Sequence, residues 1–182
     1  MRYLLVNAFD EPARAYHRNL VKEVVKKFPT LTWTKEQGLP AHFTLKYSFE
    51  AVDISELEDA LARFAGSHFA APVQIGELGC FEDQVVFATV DGSQDAKILF
   101  AELINELSKI SWMQWSEFDG PGLRFHMTVA QKCGELCQDV LHFLEGKSRR
   151  FDVNFNNITI FRQDTAAGGV KPWKLYKRFE LR

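Results

Sequence analysis

Hydrophobic and polar residues alternate with a period of two in some parts of the chain and recur every three to four residues in others. This pattern predicts the order strand, helix, strand, helix, hairpin, helix, strand, helix, strand, strand. The predicted helices are residues 10–28, 53–66, 95–110 and 133–145. The predicted strands are residues 3–9, 42–49, 73–81, 85–90, 123–131, 151–161 and 173–181, and a β-branched run at 30–34 favours a further minor strand.

Two of the predicted strands contain the same short pattern of a histidine, any residue, a threonine and an aliphatic residue. It occurs as HFTL from His42 and as HMTV from His126. Side chains alternate between the faces of a strand, so His42 and Thr44 share one face, as do His126 and Thr128. A buried aliphatic face would not place His and Thr at these positions. Two such pairs, brought together, would form an anion site with an acid on one side and a base on the other.

The order of the elements indicates an internal duplication. Each of the two motif strands is followed, after a short turn, by a helix that starts near Asp53 in one half and Cys133 in the other. If a pseudo-twofold axis relates the halves, the two His-x-Thr pairs face each other across a central cleft. This symmetry is a hypothesis from element order, because the halves share little other sequence.

Length and charge limit the classes of function. The chain has 182 residues, which suits one domain or two small lobes sharing a core. A net charge of -2 argues against a protein that coats long duplex nucleic acid, which would need a broadly basic surface. It leaves open a small nucleotide or the end of an RNA strand, held by a few local cations.

The cysteines and the apolar runs indicate a cellular compartment. Cys80, Cys133 and Cys137 form no disulfide framework, and we expect small apolar residues in a reduced compartment rather than a metal or redox site. No apolar stretch reaches the length of about 18 residues that a membrane span needs, and the N-terminal run is too short for a signal peptide. We therefore expect a cytoplasmic protein with no membrane contact.

Two histidines on opposite sides of a phosphorus atom suit the opening or closing of a ribose cyclic phosphate. One proton must leave the attacking oxygen and one must reach the leaving oxygen, and a pKa near about 6.5 lets histidine do either. The hydroxyls of Thr44 and Thr128 can donate hydrogen bonds to the non-bridging phosphoryl oxygens. This chemistry needs no metal and no cofactor, and no convincing metal-ligand cluster occurs in the sequence.

The two motifs, placed on strands in corresponding halves, resemble those of the 2H phosphoesterase superfamily. The chain looks most like the bacterial and archaeal RNA 2',3'-cyclic phosphodiesterases, also called 2'-5' RNA ligases. A proline commonly precedes the first family histidine and often the second, whereas here Pro40 lies two residues before His42 and Phe125 directly precedes His126. The catalytic pattern is intact, but the subfamily and the substrate stay open.

The resemblance, together with the element order, implies an α+β fold and a reaction. We expect one two-lobed domain over residues 1–182, in which each lobe is a small antiparallel sheet with helices packed outside. The implied activity is metal-independent hydrolysis of a nucleoside or RNA-terminal 2',3'-cyclic phosphate to a 2'-phosphate. His42 would be the proton donor, and His126 would be the acceptor that activates water. The substrate would be an RNA 3' end or a small cyclic nucleotide, with no obligate protein partner.

Strand alternation also suggests phosphate-binding residues beside the motifs. Lys46 lies two residues after Thr44 and Arg124 two before His126, so each would share its motif's face. The alternative is that either residue caps a strand end beyond the cleft. Residues 162–172, which contain a glycine pair at 168–169, have the composition of a mobile lid.

Other functions remain open at this point. The same site would suit cleavage or ligation of 2'-5' linked oligonucleotides. A non-catalytic module that binds nucleotides or RNA is a further alternative, although binding alone does not require two titrating groups. The remaining histidines, His17, His68 and His142, have no partner at catalytic or metal-ligand spacing, and we expect surface or structural roles for them.

Overall fold

The described part of the chain forms two antiparallel sheets of four strands each. The structure, a computed structural model, describes residues 1–81, 84–120, 122–165 and 171–182. In chain order the strands are β1 Arg2–Ala8, β2 His42–Glu50, β3 Ala71–Phe81, β4 Val85–Gly92, β5 His126–Gln131, β6 Phe151–Phe155, β7 Asn157–Gln163 and β8 Lys174–Glu180. The first sheet has the order β2-β1-β7-β8 and the second the order β5-β4-β3-β6. The predicted α+β fold with small antiparallel sheets is confirmed.

The described part of the chain contains five α-helices; four of them were predicted and have shifted ends, and one short helix was not predicted. They are α1 Ala13–Lys27, α2 Trp33–Gln37, α3 Ser55–Ser67, α4 Gln94–Leu107 and α5 Cys137–Phe143, the last preceded by a 3-10 turn at Gly134–Leu136. The longer helices bury one apolar face each; in α1 this face includes Tyr16, Leu20 and Val24. In the described ranges, no helix combines the length and apolar character that a membrane crossing requires.

Two strand predictions were wrong. The run at residues 30–34 leads into helix α2 instead of forming a minor strand, and Gly38 ends this helix in the left-handed region at φ 68°. Residues 151–161 form two strands, β6 and β7, that belong to different sheets. The chain crosses between the sheets at Asn156, where the side-chain oxygen of Asn7 accepts hydrogen bonds from the backbone N–H groups of Asn156 and Asn157. The apolar pattern continues through the crossing, so it contains no signal of the change of sheet.

The duplicated order has a clear structural counterpart. Strands β2 and β5 are edge strands of their own sheets, each paired to the strand that precedes it in its half, β1 or β4. The two edge strands contact each other. Between them lies Phe43, which is fully buried and packs on Phe125 with ring centroids 4.5 Å apart. The apolar neighbours of the two motif histidines thus fix the distance between the halves.

The structure corrects the expectation for two of the cysteines. Cys80 at the end of β3 and Cys137 at the start of α5 form a disulfide, while Cys133 is free and buried. The pair is 57 residues apart in sequence and is brought together by the second lobe. Spacing alone does not reveal such a pairing. Glu82 and Asp83 of the hairpin turn, and the glycine pair of the predicted lid, lie outside the described residues.

Candidate active site

The four motif side chains, His42, Thr44, His126 and Thr128, line one cleft between β2 and β5 with a volume of about 750 Å³. Each of these side chains is half-buried, while the residue between each pair, Phe43 or Met127, is fully buried. The threonine hydroxyls hydrogen-bond to no residue that the structure describes. They are therefore available to a ligand in the cleft.

Both histidines are held by the same backbone interaction. Nδ1 of His42 lies 2.7 Å from the carbonyl oxygen of Pro40, and Nδ1 of His126 lies 2.8 Å from the carbonyl oxygen of Arg124. A carbonyl oxygen only accepts, so Nδ1 carries the proton and donates it in each case. This fixes the tautomer and leaves Nε2 of each ring to exchange a proton with a ligand.

Burial opposes protonation of both rings. It lowers the pKa of His42 from 6.5 to about 4, against the upward effect of the hydrogen bond to Pro40, and the neighbouring His17 and His126 lower it further. Burial also lowers the pKa of His126, where the Arg124 carbonyl acts upward and the Arg124 guanidinium downward. The neutral form of each ring is therefore favoured more than in a free histidine, and an anion in the cleft would favour the protonated form.

A β-bulge follows the motif in β2. The ladder with β1 changes register between Thr44 and Lys46, and the strict alternation of exposed and buried side chains ends there. Leu45 and Lys46 are both buried, and Tyr47 returns to the cleft. A bulge inserts one extra residue and reverses the faces of the residues beyond it.

The same bulge recurs in β5. The ladder with β4 changes register between Thr128 and Ala130, so that Val129 and Ala130 are both buried and Gln131 returns to the cleft. The six residues from each histidine therefore have the same sequence of half-buried and buried positions in both strands. The likeness of the two motif strands extends past the motif to the bulge and to the residue that follows it.

The bulge overturns the expected position of Lys46. Its side chain is 1% exposed and its Nζ lies 2.8 Å from Oδ2 of Asp119, whose side chain is 0% exposed. Because the bulge reverses the faces, Lys46 does not share the face of Thr44, and it does not line the cleft. It instead attaches the strand to the turn that contains Asp119.

Arg124 does line the cleft, as the alternation predicted, and its side chain is exposed. Its guanidinium carbon lies 5.4 Å from the ring centroid of Phe81, and the edge of His126 meets the same ring at 5.1 Å. Phe81 in turn stacks on Phe87 at 3.9 Å. The position suits a phosphate ligand, and that role for Arg124 stays a prediction.

Several cleft residues were not identified from the sequence. Trp33 of α2 lines the cleft and carries the Nζ of Lys132 over its ring at 3.3 Å. Trp173 lines it too, with Nε1 donating to the side chain of Gln37 at 3.0 Å. Trp33 was missed because residues 30–34 were predicted to form a strand. Trp173 could not be singled out among the many aromatic residues of the chain. His17, which is buried, also lines the cleft, and its Nε2 lies 2.8 Å from the Thr128 carbonyl oxygen.

Comparison with known proteins agrees with this architecture. The protein TT0787 of Thermus thermophilus superposes with a TM-score of 0.68 at 16% identity, over 100% of this chain and 98% of that one. Escherichia coli LigT, crystallised with 3'-AMP, gives a TM-score of 0.56 at 18% identity, over 99% of this chain and 97% of that one. At these identities the likeness shows the fold.

The sequence itself matches a family model. No curated protein matches the chain significantly. The model described as the 2'-5' RNA ligase superfamily matches residues 10–167, a range that contains both His-x-Thr motifs and their bulges. The chain therefore belongs to the 2'-5' RNA ligase superfamily, whose members are 2H phosphoesterases.

Proposed function

We propose that the protein is a phosphodiesterase that opens the 2',3'-cyclic phosphate of a nucleoside or an RNA end and leaves a 2'-phosphate. The observation that carries the proposal is the matched presentation of two histidines. Each is fixed by Nδ1 to a carbonyl two residues earlier, and each has a free threonine hydroxyl on the same strand face. A site that only binds an anion would not need two rings held with their basic nitrogen available.

The proposed reaction moves two protons. Nε2 of His126 removes a proton from water as the water oxygen attacks phosphorus. The bond from phosphorus to O3' breaks while the bond to O2' stays, and protonated His42 gives its proton to the departing O3'. Thr44 and Thr128 donate hydrogen bonds to the non-bridging oxygens, where negative charge increases in the transition state. Each histidine is expected to contribute roughly 10²–10⁴ in rate.

Arg124 and the ligand itself prepare the site for this reaction. An anionic phosphate beside His42 favours the protonated ring and raises the pKa of His42 from about 4. Arg124, which lines the cleft beside His126, offers a planar guanidinium to the phosphoryl oxygens. The structures of LigT with 3'-AMP, ATP and NADP+ support a nucleotide ligand, since all three compounds are nucleotides.

The family description favours a second reaction at the same site. Joining or cleaving a 2'-5' linkage exchanges the water for a ribose hydroxyl and needs the same two proton positions. The histidines then exchange roles between the forward and reverse directions.

Turnover of cyclic phosphates tests the proposal. Wild type and His126→Ala are assayed in EDTA with the four nucleoside 2',3'-cyclic monophosphates, with a short RNA that ends in a cyclic phosphate and with a 2'-5' linked dinucleotide. We expect wild-type turnover that EDTA does not affect and the variant lacks, with a 2'-phosphate identified by phosphorus NMR. A fully active His126→Ala would refute the two-histidine mechanism. If wild type cleaves only a 2'-5' linked dinucleotide, the second reaction replaces the first.

A further inference from the structure

Helix α1 carries a regular row of cations. Arg14, Arg18, Lys22 and Lys26 follow one another at intervals of four residues, and all four side chains are exposed. Residues four apart lie on the same face of a helix, about 6 Å apart along its axis. We call these four residues the α1 stripe. Its spacing is comparable with that of successive phosphates in an extended single strand of nucleic acid.

The stripe borders a second groove beside the catalytic cleft. This groove has a volume of about 700 Å³, and the first three stripe residues form part of its rim, with Lys35 of α2 and Arg178 of β8 also lining it. Its apolar lining includes Val21, Val25, Leu39 and Phe161. The two cavities share lining residues, among them Leu39 and Trp173. The groove therefore adjoins the catalytic cleft.

The cations of the groove are only partly neutralised. Arg178 pairs with Asp10 at 2.9 Å and with Glu180 at 2.6 Å, and Arg18 approaches Glu11 at 3.8 Å. Lys22 and Lys35 make no ion pair with any residue in the described ranges. Asp10 is the acidic residue among the described residues that line the groove. The groove therefore combines an excess of positive charge with an apolar floor, which suits a ligand built of phosphates and bases.

The fold does not require this charge. Helix α4 occupies the place in the second lobe that α1 occupies in the first, since each connects an inner strand to a motif strand. Helix α1 has five basic residues and one acidic residue, whereas α4 has Lys97 against Asp95, Glu102 and Glu106. The whole chain has a net charge of -2. The positive charge is thus concentrated on the one connecting helix that borders the groove.

We propose that this groove binds the single-stranded RNA segment that precedes the cyclic phosphate, with its phosphates along the α1 stripe and a base on the apolar floor. The inference rests on the proposed function and makes the substrate an RNA end several nucleotides long, not a free cyclic mononucleotide. A duplex would not fit this role, because its bases are stacked inside and cannot reach an apolar floor.

The test compares a mononucleotide with an oligonucleotide. Wild type and the triple variant Arg14→Gln, Arg18→Gln, Lys22→Gln are assayed on cytidine 2',3'-cyclic phosphate and on a five-nucleotide RNA ending in the same group. The triple variant should lose at least tenfold in kcat/KM on the RNA and less than twofold on the mononucleotide. The slope of log KM for the RNA against log salt should fall by about 2, because about 0.7 counterions are released per neutralised phosphate of a single strand.

A charge-matched variant is the control. Arg63→Gln, Lys97→Gln, Lys109→Gln removes three exposed cations that line neither the cleft nor the groove, and it should leave both substrates unaffected. Equal losses in the two triple variants, or equal losses on the two substrates, would overturn the inference while the proposed function stands. Glutamine is a good helix former, so α1 should persist, which circular dichroism checks.

Equilibrium binding separates the inference from the reaction. Fluorescence anisotropy with a five-nucleotide RNA that lacks the cyclic phosphate should show binding by wild type and at least tenfold weaker binding by the α1 variant. Stripe-dependent binding without turnover would refute the proposed reaction and support the groove. Binding of phosphatidylserine vesicles through the same residues, with no affinity for the RNA, would overturn the inference in favour of a membrane surface.

Discussion

The ammonium group of Lys46 lies 2.8 Å from Oδ2 of Asp119, and both side chains are buried. The same carboxylate accepts hydrogen bonds from the backbone N–H groups of Tyr47 at 2.8 Å and Ser116 at 2.7 Å. Asp119 therefore holds the bulge of β2 against the segment that leads towards β5. Tyr47, which lines the cleft, is held by its backbone hydrogen bond to Asp119. The ion pair therefore positions one wall of the site.

Removing one partner of this pair should be costly. Asp119→Ala leaves the Lys46 ammonium buried without a counter-charge, and we expect a loss of about 3–5 kcal/mol in the free energy of unfolding. The double variant Lys46→Met, Asp119→Ala removes both charges and should be more stable than the single variant. Urea denaturation monitored by tryptophan fluorescence measures both. An Asp119→Ala protein as stable as wild type would show that the pair contributes nothing.

The Lys46–Asp119 pair should also make the free energy of unfolding depend on pH. Burial acts to raise the pKa of Asp119, but hydrogen bonds from Lys46, Ser116 and Tyr47 outweigh it, so its pKa lies below 3.8. The contribution of this carboxylate is complete above 3.8 and is lost as the pH falls through its folded-state pKa. Wild type should therefore lose more stability than Lys46→Met, Asp119→Ala when urea midpoints at about pH 6 and about pH 3 are compared. Equal losses of stability in wild type and in the double variant would contradict this expectation.

The histidines predict an unusual dependence of turnover on pH. The proposed reaction needs one neutral and one protonated ring, and in the free protein the pKa values of both rings lie below 6.5, that of His42 at about 4. Since kcat/KM reports the free enzyme, it should peak below about pH 6.5 and fall as the pH rises. The bound phosphate raises the pKa of the acid, so the falling limb of kcat should lie at higher pH. Profiles of both constants on a cyclic mononucleotide measure this, and a kcat/KM optimum above about pH 7 would contradict it.

The motifs could be predicted from the sequence, but their surroundings could not. His42 and Thr44 alternate with buried residues over a stretch that no irregularity interrupts, so strand periodicity placed them correctly on one face. Lys46 lies just beyond a bulge, whose extra residue leaves no mark in the hydrophobic pattern. Trp33 owes its place to the packing of α2 beside β5, a contact between distant parts of the chain. Local pattern therefore identifies catalytic candidates, whereas tertiary contacts decide what lines the cleft.

Arg124 should act on both phosphate affinity and the pKa of His126. Its positive charge lowers the pKa of that ring, so Arg124→Gln should raise the pKa of His126 and move the corresponding limb of the kcat/KM profile to higher pH. A lost hydrogen bond to a charged group, worth about 1.5–3 kcal/mol, should raise KM about tenfold or more. Arg124→Lys keeps the charge, so the limb should return to its wild-type pH. The KM should fall only part of the way back to the wild-type value, because lysine cannot form the paired hydrogen bonds of a guanidinium.

Arg63→Gln is the matched control, because Arg63 is exposed on α3 and lines neither cavity. It should change neither the KM nor the pH profile. An increase in KM for Arg124→Gln with an unmoved limb would assign the residue to binding alone.

The disulfide between Cys80 and Cys137 should contribute substantially to the stability of the second lobe. It closes a loop with a sequence separation of 57 residues, for which the loss of chain entropy in the unfolded state corresponds to about 4 kcal/mol. Thermal unfolding should shift to lower temperature in reductant and in Cys80→Ala, Cys137→Ala, and reductant should have no further effect on that variant. Cys133→Ala, which removes the free buried thiol, should respond to reductant as wild type does. Thiol titration of unfolded wild type should count one thiol before reduction and three after it, and three thiols at the outset would refute the pairing.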